Sequence, residues 1–417
     1  MANTSTSKIE TLQWAAFLMC VLAAVFYCYE YCLRVAPSVM RENLMHTYNV
    51  SDAGFGILAA LYYWAYVPLQ VPVGLIMDRW GPRKILTAAC ILCAIGTYFF
   101  AATNSINIAR FGRFIVGFGS AFAYVGVLKI ANLWLPRKYF AMMAGLCTAL
   151  GTIIAGSSAV VMARCVSNIG WQRTSYLSAI IGVILAFILW LFIKDKSDQE
   201  ITKCTRAAHE GRSLKAELLE VIKIKQLLLN GIIGCLTYLP LTIFAEVWAV
   251  RFLETTAMSK VQAAFGSSLV FWGFGIGAPI WGVFSDWIHS RKKPLIIGSI
   301  VSAICSYVLL YNTPDVCWVT YTLLFASGFF ASAEVVVFAV GNDICRPRLS
   351  ATTVSYTNFL VMLGGMLLQP LVGILVNSFS ITLQKALIIL PLGLILATIL
   401  SVFLKESYNR EQEHIVL

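Results

Sequence analysis

Seven ionisable side chains stand inside long apolar runs of this sequence: Glu30, Arg34, Arg110, Arg113, Lys129, Glu246 and Glu334. At lipid depth each costs about 3 kcal/mol or more, so each asks for a partner or a task. Glu30 and Arg34 are spaced i, i+4 and share a helix face, with Tyr27 just before them. Arg34 and Arg113 carry the planar fork that pairs with a carboxylate or another anionic group. Glu30, Glu246 or Glu334 can take up and release a proton, because a low-dielectric setting disfavours a charged carboxylate. Such a proton would bias the protein toward one of two conformations. Tyr124 and Ser120 share the face of Arg113 and extend the candidate solute site. The competing reading makes Glu30–Arg34 a self-satisfied structural pair and lets Arg110 snorkel to the interface. Lys129 lies far around the helix from Arg113, and snorkelling fits it better than solute contact.

The elements that must position these groups are membrane helices. Of 417 residues, 59% are hydrophobic and 12% charged, where a soluble domain averages about 25% charged. Apolar runs long enough to span a bilayer recur at approximately 13–36, 53–77, 85–104, 107–135, 139–163, 172–193, 226–252, 261–285, 294–312, 316–341, 350–376 and 383–404. The charged break 194–225 divides them six and six, and SLKAELLEVIKIKQ (213–226) reads as an amphipathic helix on the membrane surface. The pattern predicts an all-α integral membrane protein. Residues 1–193 would form one six-helix bundle, 194–225 a central loop and 226–417 a second bundle with a short tail.

The net charge of +11 is loop charge, which excludes a nucleic-acid reading. With the N-terminus inside, the inner segments hold 21 Lys and Arg and the outer segments hold six, so both termini are expected in the cytoplasm. No cleavable leader is expected. The twelve cysteines, Cys90-x-x-Cys93 included, mostly lie in apolar runs, where they act as small hydrophobes. No span contains histidine, which argues against haem, an intramembrane zinc protease or a serine–histidine hydrolase. No cofactor or metal is expected.

The halves repeat. Gly74-x-x-x-Asp78-x-x-x-x-Arg83-Lys84 recurs as Gly282-x-x-x-Asp286-x-x-x-x-Arg291-Lys292, each after the second helix of its half, and Pro136-Arg137 is echoed by Pro347-Arg348. At these residues the chain resembles the major facilitator superfamily. The loop GLIMDRWGPRK matches the family signature at Gly74, Asp78, Arg79, Gly81, Arg83 and Lys84. The second copy lacks the arginine after Asp286 and the following glycine. Arg113-x-x-x-Gly117-x-Gly119-x-Ala121 resembles the family's helix-4 signature. The stretch 26–40 resembles a bacterial branch that includes phagosomal amino-acid and nucleoside permeases. The helix-5 antiporter signature is absent, which argues against a drug exporter.

The resemblance implies the major facilitator fold, two pseudo-repeated six-helix bundles whose first and fourth helices line a central cavity. Every intramembrane charge of this sequence falls on those helices. It also implies a conformational latch at Gly74, Asp78, Arg79 and Arg83 and at Gly282, Asp286 and Arg291. The expected function is secondary active transport, proton-coupled uptake of a small polar or anionic metabolite (an amino acid, short peptide or organic acid). The expected protein is a monomer in a bacterial inner membrane. An exporter of drugs or siderophores, and a non-transporting sensor or enzyme, are the alternatives.

Overall fold

The computed structural model describes residues 2–134, 140–195, 214–312, 317–345, 349–379 and 381–408; side chains are described from residue 16 onward, apart from 75, 78, 140–145, 214–217, 350 and 351. The described residues form helices without strands. They are α1 Ala2–Tyr48, α2 Asp52–Leu69, α3 Val73–Trp80, α4 Pro82–Ala101, α5 Ile106–Trp134, α6 Phe140–Ile169 and α7 Trp171–Phe192. They continue as α8 Leu214–Ile222, α9 Lys225–Glu254, α10 Lys260–Trp287, α11 Lys292–Tyr311, α12 Cys317–Ile344, α13 Ser350–Ser378 and α14 Leu383–Phe403. Lipid offers no hydrogen bonds, so a spanning backbone must satisfy itself within the helix. Among the described residues, eleven helices are long and apolar enough to cross a membrane. The twelfth crossing is α2 with α3, which opens on Asp52 and breaks at Gln70–Pro72.

Within the first half α4 packs on α5 and α7, and α5 on α2 and α1. Within the second, α10 and α11 pack on α12, and α9 on α13 and α14. The halves meet chiefly through α2 against α13 and α6 against α10. The two ends differ. Arg83, Asp195, Arg291 and Glu406 mark one, here the basic end; Arg41, Asp52 and Arg251 mark the other, the far end.

Two pairs of contacts repeat the internal symmetry. A Cβ on Gly117 of α5 would lie 2.1 Å from the carbonyl oxygen of Tyr62 in α2, and one on Gly328 of α12 would lie 2.0 Å from that of Val270 in α10. Small residues let membrane helices close to backbone contact in this way. Gly117→Ala is expected to cost about 1–3 kcal/mol by overpacking, seen as a lower melting temperature in detergent; an unchanged melting temperature would refute the contact. The second pair lies at the basic end. Asp195, after α7, accepts the backbone N–H of Arg83 at 2.9 Å, and Glu406, after α14, accepts that of Arg291 at 2.8 Å. Each acid caps the first turn of its half's third helix, where the dipole favours an anion. Partial burial acts to raise the Glu406 carboxyl, but the Ser290 hydroxyl and the N–H groups of Arg291, Tyr408 and Lys292 outweigh it and hold the group below the ordinary carboxylate range.

The first helix differs from its expected bounds. It continues through Pro37 to Tyr48 instead of ending at 36. This moves Glu30 and Arg34 from the outer half of the span to its middle, and puts Arg41 inside the helix instead of in a loop. Two other candidate acids sit on irregular helix segments. Glu246 lies in a π-helical stretch of α9, Pro240–Trp248, and Glu334 in a 3₁₀ stretch of α12, Ser332–Val335. Such irregularities are frequent at functional sites. Cys90 and Cys93 are buried free thiols that donate to the carbonyls of Gly182 and Val116.

Candidate functional site

Four of the candidate charges come together at mid-depth. Arg34 Nη2 lies 3.1 Å from Glu30 Oε1, one turn earlier on α1. Arg34 Nε donates to the Tyr62 hydroxyl at 3.0 Å, and that hydroxyl donates to Glu30 Oε2 at 2.8 Å. Ser120 is buried, with its hydroxyl 3.8 Å from Cys93 Sγ. Glu246 belongs to the other half and takes part from across the junction. Its Oε1 is 3.8 Å from Arg34 Nη1, and its Oε2 accepts from the Tyr63 hydroxyl. Glu30 and Glu246 are each 1% exposed and Arg34 is 3% exposed, so these groups answer only to one another.

Tyrosines enclose the cluster. The Arg34 guanidinium lies 4.1 Å from the ring centre of Tyr31, 5.0 Å from Tyr62 and 5.2 Å from Tyr66, and each such contact is worth about 0.5–2 kcal/mol. Tyr31 and Tyr238 share a hydrogen bond at 3.2 Å across the halves. Tyr27 stacks edge-on against Tyr31 and tilts against Tyr124, whose hydroxyl accepts from Thr148.

Arg113 is occupied elsewhere. Its Nη1 donates to the carbonyl of Leu33 and its Nη2 to that of Arg34, both at 2.7 Å. The reason is in the sequence. Pro37 has no N–H, so the carbonyl four residues before it, Leu33, loses its helical donor. Arg113 also lines a small pocket with first-half residues, among them Leu33, Pro37, Thr97, Met162 and Ser178. Glu334 is not part of the cluster. It is 3% exposed, and its Oε1 has no hydrogen-bond partner among the described residues.

At the far end, Asp52 of α2 accepts from Arg41 of α1 and from Arg251 of α9. One carboxylate thus ties three helices and both halves. Nearby, Gly56 packs on the backbone of Gln369 and Pro370, and Phe55 sits edge-on to Trp248. At the basic end, Arg291 pairs with Asp286 at 2.7 Å and Asp343 at 2.9 Å. Arg83 instead donates to the Trp190 carbonyl at 2.8 Å and stacks on its ring. Arg79 is exposed beside Trp80. A Cβ on Gly74 or Gly282 would meet nothing within 4 Å. The side chain of Asp78 lies outside the described residues.

Sequence reasoning missed Asp52, Tyr31 and Tyr238. The available signals were an acid opening the second span between two far-end arginines, and the density of tyrosine along helices 1 and 2.

A sequence model of the Major Facilitator Superfamily matches residues 16–252 and 231–415. The probable galactarate/D-glucarate transporter of Escherichia coli (strain K12) is 22% identical over 414 residues, covering 90% of this chain and 90% of that protein. The protein of the same name from Bacillus subtilis (strain 168) is 23% identical over 410 residues, covering 90% of this chain and 88% of that one. The crystal structure of a bacterial homologue of the human lysosomal transporter Spinster, inward-facing and unoccupied, superposes with a TM-score of 0.68 at 16% identity, covering 94% of this chain and 95% of that one. The fold is therefore twelve transmembrane helices in two pseudo-repeated bundles, and the relatives named are transporters, not enzymes. The chain belongs to the major facilitator superfamily and is a multi-pass membrane transporter.

Proposed function

We propose that this transporter takes up an organic acid together with a proton, by alternating access in a bacterial inner membrane, and works as a monomer. The relatives named for sugar acids support a carboxylate solute. The observation that carries the reading is the buried set Glu30, Arg34, Arg113 and Glu246, two acids and two bases at the junction of the halves. An arriving carboxylate upsets that balance, and a proton on one glutamate restores it. Glu246 is the acid best placed to do so, because it faces Arg34 from the opposite half. Its protonation releases an Arg34 arm for the solute and loosens a tie between the halves in one step. Glu30 keeps Arg34 oriented, and Glu334 is a second proton site. Tyr27, Tyr124 and Ser120 line the solute's surroundings.

In this reading 1–193 and 226–417 rock against each other, with 194–225 as the tether. The basic end faces the cytoplasm, so the far-end tie at Asp52 corresponds to an inward-facing state. The loops around Asp78 and Asp286, with Arg83 and Arg291, form and release contacts at the cytoplasmic end.

Purified protein in liposomes tests this. An acid exterior is expected to drive accumulation of a labelled organic acid. Glu246→Gln should abolish accumulation but leave solute exchange within about tenfold, since exchange needs no net proton movement. Accumulation that survives a protonophore would overturn the coupling.

A further inference from the structure

The junction cluster contains two guanidinium groups but exposes one exchangeable arm. Arg113 spends Nη1 and Nη2 on the Leu33 and Arg34 carbonyls, both at 2.7 Å. Pro37 creates the first of those needs, so a solute that took Nη1 would leave the Leu33 carbonyl without a donor. Arg113 also lines a first-half pocket with Leu33, Pro37 and Ser178, and its Nε is buried without a hydrogen-bond partner among the described residues. The Tyr62 ring stands 5.0 Å from its guanidinium carbon and, equally, 5.0 Å from that of Arg34, and so lies against both cations.

Arg34 is held less evenly. Its Nε and Nη2 are hydrogen-bonded to Tyr62 and Glu30. Its Nη1 reaches Glu246 only at 3.8 Å, beyond hydrogen-bond length, and Glu246 Oε1 has no hydrogen-bond partner among the described residues. A solute can take that arm without stripping a hydrogen bond from the protein, and it is the arm that faces the other half. Glu334 adds negative charge to the second half, not a further cation. Lys129 is sixteen residues along α5 from Arg113, about 24 Å at the helical rise.

We propose that the site takes solutes with a single carboxylate and discriminates against dicarboxylates, with Arg34 as the carboxylate ligand and Arg113 as a positioning residue that holds the bend of α1. The inference rests on the organic-acid reading above and narrows it. The charge sum gives the reason. Glu30, Glu246, Arg34 and Arg113 total zero when all are ionised. One solute carboxylate with one proton on Glu246 keeps the buried total at zero. A second carboxylate brings the total to minus one unless Glu30 also takes a proton, and that proton would remove the acid that orients Arg34; an unpaired buried charge is strongly unfavourable.

Matched acid pairs test it on the full-length protein in detergent, by thermal shift and calorimetry: galactonate against galactarate, gluconate against glucarate, and butyrate against succinate. The members of each pair differ at one terminus. In whichever pair binds, the monoacid is expected to bind at least about a hundredfold tighter. A diacid that binds as well or better overturns the inference and leaves the organic-acid reading standing. Silence toward all six acids overturns both. Two lysine variants separate ligand from positioner. Arg113→Lys can still donate to the α1 carbonyls, and should keep the monoacid preference with Kd within about tenfold. Arg34→Lys loses the planar fork and should weaken the monoacid by more than that. Equal losses in the two variants, or a larger loss in Arg113→Lys, would place the carboxylate on Arg113 and refute the assignment.

Discussion

Replacing Arg34 by alanine is expected to reduce organic-acid transport by at least about a hundredfold, with a clear loss of thermal stability. The variant leaves Glu30 and Glu246 buried without the cation between them. Removing one partner of a buried ion pair costs about 3–5 kcal/mol, and Arg113 cannot turn to help while it holds the carbonyls of α1. The damage reaches both functions proposed for the cluster: the solute loses its carboxylate ligand, and Glu246 loses the charge that its proton would displace. Arg34→Lys restores a charge but cannot reach Glu30, the Tyr62 hydroxyl and Glu246 together, so partial recovery is expected. Initial uptake rates in liposomes, beside melting temperatures in detergent, measure both effects. Wild-type uptake in the alanine variant would remove the cluster from the transport path.

Asp52→Asn should open the far end. Arg41 and Arg251 converge on one carboxylate, and a neutral amide would leave two guanidinium groups facing each other. The far end would then change from attraction across the halves to repulsion. Coupling energies of about 1–3 kcal/mol shift a two-state population by roughly 5–150-fold. The open fraction is measurable as the distance between spin labels at His46 and Thr255 in a cysteine-depleted background. The variant should populate longer distances, and Asp52→Glu should return most of the population to the short one. An identical distribution in the asparagine variant would mean that the three-way contact does not hold this end shut.

The architecture was legible because it depends on local quantities. Run length and the placement of lysine and arginine decide how many helices cross, and a repeated loop reveals the pseudo-symmetry. The intramembrane charges could be assigned to helices 1, 4, 7 and 10 because a charge in an apolar run stands out at any register. Depth was less legible. Pro37 reads as a stop, yet the helix passes through it because Arg113, seventy-six residues away, accepts the burden of the freed carbonyl. No one-dimensional pattern contains that contact. The tyrosines were ambiguous for a related reason. A tyrosine in an apolar helix packs by its ring and bonds by its hydroxyl, and only the neighbours decide which matters. Asp52 sat at a predicted span boundary, where an acid looks like ordinary helix capping until Arg41 and Arg251 are seen on either side of it.

The paired glycine contacts, Gly117 on Tyr62 and Gly328 on Val270, bear on how an internally duplicated gene ages. The second loop copy lacks an arginine and a glycine present in the first, and it lies at the basic end. The glycines have less latitude: a Cβ on them would lie 2.1 and 2.0 Å from a facing carbonyl oxygen, so even a methyl group forces the helices apart. Drift in such a gene should therefore erase the ancestral likeness from the rim inward. The last trace of common descent would survive where two backbones touch, while the side chains around the solute are free to specialise in each half.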